Sequence, residues 1–203
     1  MKKMLSVALL AALLSGCDKE RNETNAYELN GATSVAEWKG STPDHFHVGS
    51  FKVTGNIKSK PNGSIQDGDF IIPIASIQNF DLTDPVRQQL LDHLKSPDFF
   101  NLAMHPNAAF RITRVSAYAA RDTIAVRGAN YLLTGDFTML GQTHPVSFPA
   151  RIEYTSDSLK AEARFDIDRT KWGMTIYTDT TTKGLYILPK VNMHLKIRAA
   201  KLR

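Results

Sequence analysis

Residues 131–154 read YLLTGDFTMLGQTHPVSFPARIEY, and this stretch decides the fold class. Within it, Tyr131 to Met139 and Val146 to Tyr154 show the period-two alternation and the β-branched and aromatic content of β-strands. Between them, Gly141-Gln142-Thr143 is typical of a hairpin turn. Strands joined by so short a turn run antiparallel, so the stretch predicts an antiparallel hairpin.

The same pattern continues on both sides of this hairpin, with turn residues between the segments. The further predicted strands are Val35–Trp38, Val48–Ile57, Phe70–Ile77, Ala109–Val115, Thr123–Arg127, Ser158–Ile167 and Val191–Lys201, and Pro61-Asn62-Gly63-Ser64 is a second clear turn. This succession predicts an antiparallel meander, and closing it into a barrel removes the exposed edges.

One segment, Asp84 to Lys95, has the pattern of a helix instead. Asp84 is a candidate N-cap with proline following at the first helical position, and Pro97 helps to end the helix. Its apolar side chains recur at helical spacing. They are Val86, Leu90, Leu91 and Leu94. We expect a short amphipathic helix that packs this stripe on the barrel or closes one end of it.

The N-terminus has the organisation of a secretory signal, with a basic start, an apolar core from Met4 to Leu14, and small residues before Cys17. The core is too short to span a bilayer. Leu14-Ser15-Gly16-Cys17 looks like a bacterial lipobox, and Cys17 is the only cysteine. The expected organisation is a signal peptide over 1–16, a lipidated Cys17 and flexible tether over 17–31, and a barrel domain over 32–203.

Composition excludes several other classes. Removing residues 1–16 removes two lysines, so the formal net charge falls from +5 to +3. The remaining basic residues are scattered along the chain, so nucleic acid is not an expected partner. With Cys17 acylated, no disulfide is available. The mature protein is expected in the bacterial cell envelope, lipid-anchored on the periplasmic or outer face of a membrane.

A search for catalytic or metal-binding residues finds no recognisable constellation. There is no nucleophile elbow and no glycine-rich phosphate loop. His45 and His47 share a strand face, but no further ligands stand at metal-binding spacing, so we expect no metal. His93 and His194 are predicted to face solvent, and His105 and His144 to lie in turns. The dense group Asp166, Asp168 and Arg169 is interpreted as a salt-bridged strand end.

Apolar side chains pair at spacing two along six predicted strands, so each pair shares one face of its strand. The pairs are Phe51 and Val53, Phe70 and Ile72, Phe110 and Ile112, Phe137 and Met139, Phe148 and Ala150, and Phe165 and Ile167. A barrel of about eight strands can either pack such residues solidly or hold one small apolar ligand. Periodicity does not decide between a core and a pocket.

Several motifs occur in a characteristic order along the chain. They are Trp38-Lys39-Gly40, His47-Val48-Gly49, His93-Leu94-Lys95-Ser96-Pro97-Asp98-Phe99-Phe100-Asn101, His105-Pro106-Asn107-Ala108-Ala109-Phe110, Gly135-Asp136-Phe137-Thr138-Met139-Leu140-Gly141 and Phe165-Asp166-Ile167-Asp168-Arg169-Thr170-Lys171-Trp172-Gly173. This ordered set resembles the YceI-like family of exported bacterial lipid-binding proteins, from about Ala32 to Lys201.

The resemblance implies an extended, lipocalin-like antiparallel β-barrel of about eight strands with a short helix. It also implies an elongated apolar interior for an isoprenoid-type lipid, such as a quinone or polyprenyl chain, and no catalytic residues or other cofactor. Pocket-lining residues are then expected to be Trp38, His47, Phe51, Val53, Phe70, Ile72, Phe110, Ile112, Phe137, Met139, Phe148, Ala150 and Phe165. Trp38 and His47 are the candidates beside the lipid head group.

The expected function is that of a membrane-tethered lipoprotein that binds an isoprenoid or other long-chain lipid and is not an enzyme. The alternative is a structural or partner-binding lipoprotein with a solidly packed barrel. An enzyme acting on such a lipid is disfavoured by the empty search for catalytic groups. A homodimer is one candidate for the oligomeric state, which stays open.

Overall fold

The structure, a computed structural model, describes residues 24–119, 123–181 and 185–203. The strands are β1 (Asn25–Leu29), β2 (Val35–Ser41), β3 (Phe46–Lys52), β4 (Thr54–Ser59), β5 (Ile65–Pro73), β6 (Gln78–Asn79), β7 (Asn107–Ala117), β8 (Tyr131–Met139), β9 (Gln142–Tyr154), β10 (Ser158–Asp168) and β11 (Lys190–Lys201). The helices are α1 (Val86–Lys95) and two 3-10 turns, Ile74–Ser76 and Arg169–Trp172.

A closed antiparallel barrel forms the body of the molecule, as the sequence predicts. Strands β1, β4, β5, β7, β8, β9, β10 and β11 pair in that order, and β1 pairs back onto β11 to close the ring. Closure leaves no unpaired edge along this ring, which is the physical advantage of a barrel over an open sheet.

The barrel continues beyond the ring at one end, where β2 and β3 extend it. Strand β2 pairs with β11 and with β3, and the short β6 pairs with the outer edge of β3. Strands β3 and β5 are not hydrogen-bonded to each other, so the wall has a gap on this side. We call this end of the barrel the helix end, because α1 lies over it, and the opposite end the far end.

The hairpin of β8 and β9 confirms the predicted turn and shifts it by one residue. Met139 pairs with Gln142, so the two-residue loop is Leu140-Gly141. Both loop residues have positive φ, 51° at Leu140 and 73° at Gly141. This is the combination that a type I′ hairpin turn requires, and its twist matches that of the flanking strands.

The interior contains two apolar clusters stacked along the barrel axis. The cluster in the ring includes Leu133, Phe148, Ala150 and Leu159. The cluster at the helix end is centred on Phe51, Ile74, Met139 and Trp172, with side chains of α1 packed against it. The intervening residues Arg111, Asp136 and Ser147 are exposed, so the predicted alternation is confirmed on these strands.

Helix α1 confirms the predicted helix, but its start and its packing differ from the prediction. The residue at the N-cap position is Pro85, with no side-chain cap, and Asp84 instead accepts from Arg87. Val86 is exposed, and no residue of α1 is fully buried. Only Leu90, Leu91 and Leu94 of the predicted stripe face inward, because the helix lies over an open end rather than against a continuous sheet.

The structure also differs from the sequence prediction at residues 123–127 and at the start of the barrel. Residues 123–127 form bends and turns rather than a strand. The predicted tether over 17–31 overlaps β1, because Tyr27 and Leu29 alternate into the core, so the barrel begins before residue 32. The signal peptide and Cys17 lie outside the described residues. Among the residues that are described, no helix has the length and apolar character needed to cross a membrane.

Candidate functional site

The barrel interior is hollow rather than solidly packed, and it contains two compartments. The narrow compartment lies within the closed ring, has a volume of about 90 Å³, and is walled almost entirely by aliphatic and phenylalanine side chains. A single buried water needs only about 10–15 Å³, so this space far exceeds a packing defect. The wide compartment lies at the helix end and has a volume of about 310 Å³.

The two compartments adjoin along the barrel axis. Five residues line both of them and mark the junction. They are Ala36, Ile72, Phe137, Ile167 and Met193. The hollow is therefore elongated, running from the helix end into the closed ring.

Every residue expected to line a pocket lines one of the two compartments. Val53, Phe70, Phe110, Ile112, Phe148, Ala150 and Phe165 line the narrow one, Trp38, His47, Phe51 and Met139 the wide one, and Ile72 and Phe137 both. Whether these residues bind a ligand stays a prediction, but the structure does bring them together.

Other lining residues escaped the sequence analysis. On β10 and β11, Leu159, Leu195 and Ile197 alternate inward and could have been found by the same period-two rule. Tyr177 and Ile187 of the wide compartment lie in the long connection between β10 and β11, which has no periodicity to reveal them.

Four phenylalanine rings form a continuous row along one side of the narrow compartment. Phe148 and Phe165 stack with their centroids 4.1 Å apart, and Phe110 lies 5.4 Å from Phe148 and 6.0 Å from Phe70. Aromatic contacts of this kind fix ring positions beyond what area burial alone provides. The wall is therefore preformed and apolar.

Polar groups of the hollow are concentrated at the helix end. The rim of the wide compartment, which we call the mouth, consists of Thr42, His45, Phe46, His47, Leu90, His93, Tyr177 and Leu185. Phe46 is 50% exposed and Leu185 49%. The ammonium group of Lys39 lies 4.0 Å from the centre of the Phe46 ring, a cation–π contact.

His47 is the most firmly held histidine of the mouth. Its Nδ1 lies 2.7 Å from Oδ2 of Asp81, and Oδ1 of Asp81 accepts from the Val48 N–H and from Asn79. Burial tends to raise the pKa of Asp81, but these hydrogen bonds outweigh it and the pKa lies below its ordinary value. Asp81 therefore acts as a carboxylate that orients the imidazole.

Trp38 lies opposite Gly49 on the neighbouring strand, with its indole ring covering the glycine. A Cβ at Gly49 would fall 2.6 Å from this ring and 1.8 Å from the carbonyl oxygen of Gln78, so only glycine fits. The indole Nε1 is buried and, among the residues that the structure describes, has no hydrogen-bond partner. A buried donor without a partner is uncommon and calls for an explanation.

Two histidines lie elsewhere than predicted, and a third, His194, lies on the predicted face but is more enclosed than expected. His93 lines the wide compartment and contacts the rings of Phe99 and Tyr177. His144 lies within β9 and packs against Trp172, because β9 begins two residues before it. His194 is held between two carboxylates and is only 17% exposed.

Arg169 organises the connection that forms one side of the wide compartment. The residue is only 3% exposed, and its guanidinium donates to the carbonyl oxygens of Met174, Ile176, Ile187 and Leu188. Burial lowers its pKa below the ordinary value. The predicted salt-bridged strand end is thus wrong for Arg169, which binds carbonyls, although Asp166 does pair with Lys190.

Within the described residues, no three His, Cys, Asp or Glu side chains come close enough together to hold a metal ion. The arrangement instead suits an elongated apolar molecule. The hollow offers it a long apolar wall, and a few hydrogen-bonding groups near the mouth can meet a polar end.

A closed antiparallel barrel with an apolar interior and a helix at one end defines a lipocalin-like architecture. The sequence matches the YceI-like domain over residues 27–199, so the chain belongs to this family. No curated protein sequence matches it.

Several solved structures share the fold. BcnA of Burkholderia cenocepacia is 19% identical with a TM-score of 0.64, covering 84% of this chain and 98% of its own. A polyisoprenoid binding domain from Saccharophagus degradans, implicated in plant cell wall breakdown, is 12% identical with a TM-score of 0.63, covering 87% and 98%. The Campylobacter jejuni YceI protein is 20% identical with a TM-score of 0.56, covering 76% and 85%.

Proposed function

We propose that this protein binds a long-chain isoprenoid-type lipid, such as a quinone or polyprenyl chain, with its tail in the barrel. The observation that carries the proposal is the pair of adjoining apolar compartments, which share five lining residues and together run from the mouth into the closed ring. The domain of Saccharophagus degradans, which has the same fold, is described as polyisoprenoid binding.

The energetics suit such a chain. Burying apolar surface contributes about 25 cal/mol per Å², or about 0.8 kcal/mol for each CH₂ group. A flexible chain loses conformational entropy on binding, which opposes association. A preformed cavity adds little further free-energy cost, because the protein side chains are already ordered before the lipid binds. A solidly packed barrel, the structural alternative, is disfavoured by the volumes of about 90 and 310 Å³ in its interior.

The first test is to purify the protein, extract it with organic solvent and identify co-purifying lipids by mass spectrometry. The second uses Ala150→Phe, because Ala150 is buried in the wall of the narrow compartment. The added ring fills this compartment, so affinity should stop rising with chain length once the wide compartment is filled. The wild type should continue to gain affinity along a series of isoprenoid alcohols of increasing length.

Ala200→Phe is the matched control, since Ala200 is exposed on the same barrel. We expect the melting temperature of Ala150→Phe to stay close to that of the wild type, because the ring enters existing space. Overpacking a solid core would instead cost about 1–3 kcal/mol. A large loss of stability, with no lipid on the wild type, would contradict the proposal.

We also propose that the protein is anchored to a membrane of the cell envelope through acylation of Cys17. Support comes from the order of basic start, apolar core and Leu-Ser-Gly-Cys in the sequence. Cys17→Ser should abolish incorporation of an alkyne fatty acid in labelled cells, because no other thiol exists. Undiminished labelling of that variant would overturn the anchoring proposal and leave the lipid-binding proposal intact.

A further inference from the structure

We infer that the wide compartment selects lipids whose head group carries a hydroxyl group, as in an alcohol or a phenol. The selection is made by a hydrogen bond from that hydroxyl to Nε2 of His47. Asp81 is the positioning residue that makes Nε2 an acceptor. The inference rests on the proposed function, because the lipid tail must occupy the barrel for its head to reach this histidine.

Nδ1 is the nitrogen of His47 that carries the proton. A carboxylate accepts hydrogen bonds and does not donate them, so the 2.7 Å contact with Asp81 requires an N–H at Nδ1. In the neutral imidazole the other nitrogen, Nε2, then has a free lone pair. Asp81 holds this arrangement firmly because its second oxygen is fixed by Val48 and Asn79 at 2.8 and 2.7 Å.

The lone pair of Nε2 is available on the side of the wide compartment. His47 follows the inward alternation of Gly49 and Phe51 on β3, and it lines the wide compartment. Among the described residues, none forms a hydrogen bond to Nε2 of His47. The acceptor is therefore left for a molecule in the compartment.

The other histidines of the mouth lack a comparable support. His45 is 55% exposed and its partner Asp44 83%. His93 lies 3.3 Å from Asp98, a longer contact between two exposed side chains. Neither pair has the backbone and amide contacts that hold Asp81, so His47 alone among these three is preorganised.

The head group that fits this acceptor carries a hydroxyl. Its oxygen must give a hydrogen to Nε2 of His47, since that nitrogen can only accept. A hydroxyl both donates and accepts, whereas an ether or carbonyl oxygen only accepts.

A phosphate head fits this mouth less well than a hydroxyl. An ionised phosphate oxygen would face the lone pair of His47, and Asp44, Asp81 and Asp98 lie at the same rim. Of the cations near the mouth, the guanidinium of Arg169 is engaged by backbone carbonyls, and the ammonium of Lys39 lies over the ring of Phe46.

The experiment compares three probes with the same C20 tail, geranylgeraniol, its methyl ether and geranylgeranyl phosphate. Binding is measured by isothermal titration of the whole purified protein. We expect the alcohol to bind roughly three- to tenfold more tightly than the ether, the ratio that one hydrogen bond contributes. His47→Phe should abolish this preference while it leaves the ether's affinity nearly unchanged. His105→Phe is the matched control, because His105 lines neither compartment, and it should keep the preference.

Asp81→Asn provides a second, sharper test. The amide oxygen should take the position that accepts from Val48 and Asn79, which turns the amide NH₂ toward Nδ1 of His47. Nδ1 must then accept, and the proton moves to Nε2. We expect the alcohol to lose its advantage over the ether, and ¹⁵N NMR to show the Nδ1–H tautomer of His47 in the wild type and the Nε2–H tautomer in the variant.

The outcomes separate the two proposals. If none of the three probes binds, the proposed function itself fails. Equal affinity for alcohol and ether, or tightest binding of the phosphate, would overturn the hydroxyl inference while lipid binding stands. An Nε2–H tautomer in the wild type would overturn it as well, and this measurement does not depend on whether any variant folds.

Discussion

At the scale of single residues, the outer face of the barrel contains a charged network that crosses four strands. His194 on β11 contacts Glu37 on β2 at 3.0 Å and Glu162 on β10 at 2.8 Å. Lys196 also pairs with Glu37, and Arg151 on β9 pairs with Glu162. The network therefore joins β2, which lies outside the closed ring, to β11, β10 and β9 within it.

Glu162 should make stability depend on pH. The hydrogen bond from His194 is the main cause that lowers its pKa from 4.5, and Arg151 adds to it against the opposing effect of burial. A lowered folded-state pKa contributes stability above the unfolded value, and this contribution is lost as the pH falls through the folded value. Glu162→Gln should therefore reduce the free energy of unfolding by about 1 kcal/mol at pH 7, and by much less near pH 3.

Urea unfolding at both pH values measures this difference. Glu28→Gln is the control, since Glu28 is exposed on β1 and has no ion-pair partner among the described residues. The same loss for Glu162→Gln at both pH values would show that packing, rather than charge, is responsible.

Side-chain direction was predictable at this scale, whereas polar partnership was not. Alternation correctly placed Phe110 inward and Arg111 outward, because a strand leaves each side chain only two directions. It also placed His194 on the outer face, but a single strand does not reveal that Glu37 and Glu162 come from neighbouring strands to enclose it.

At the scale of elements, α1 acts as a loosely held cover for the helix end. None of its residues is fully buried, while Leu90 and Leu94 line the wide compartment. Elements with few buried apolar contacts open at lower free energy than the core. The helix is therefore the part of the wall best suited to give way when a ligand enters.

Leu94→Ala should lower the free energy of unfolding by about 1–2 kcal/mol, less than the 2–5 kcal/mol typical of fully buried sites, because Leu94 is only partly buried. Gln89→Ala on the exposed face of α1 should change it by less than about 0.5 kcal/mol. Urea midpoints measure both. If the two variants had equal midpoints, the assignment of the inward face of α1 would be wrong.

The limits of elements with a regular spacing of apolar residues were predictable from the sequence, whereas the shapes of the irregular connections were not. Strand β8 coincides with its predicted limits because alternation persists over its whole length. The connection between β10 and β11 owes its shape to one buried guanidinium bound to four carbonyls. The sequence around Arg169 does not indicate these carbonyl partners, because the residues that supply them lie 5 to 19 positions further along the chain.

At the scale of the whole molecule, the mouth and the start of β1 lie at opposite ends. Along β11, Val191 pairs with Gly40 near the mouth, whereas Lys201 pairs with Tyr27 at the far end. Strand β11 has 12 residues. At the usual rise and barrel tilt it spans roughly 30 Å along the axis.

This geometry predicts which membrane an anchored protein can exchange lipid with. Cys17 and Asn25, the first residue of β1, are eight Cα–Cα steps apart, so even a fully extended segment reaches at most about 29 Å. If the mouth touched the anchoring bilayer, β1 would begin about 30 Å above it, so the segment would have to be stretched to its limit at a large cost in conformational entropy. We therefore expect the anchored protein to collect lipid from a facing membrane or carrier rather than from its own.

Cys17 allows a direct test, because a chain that begins at this single cysteine can be coupled to a maleimide lipid in vesicles. A fluorescent isoprenoid is placed either in the anchoring vesicles or in a second population. Uptake should be fast from the second population and slow from the first. Inserting 14 Gly/Ser residues after Asp18 should make the two uptake rates similar, because the longer tether lets the mouth turn back to the anchoring membrane.

Cys17→Ser protein, free in solution, is the control and should take up lipid from both populations equally. Fast uptake from the anchoring vesicles with the natural tether would show that the barrel reaches its own membrane by another route, such as lying on its side.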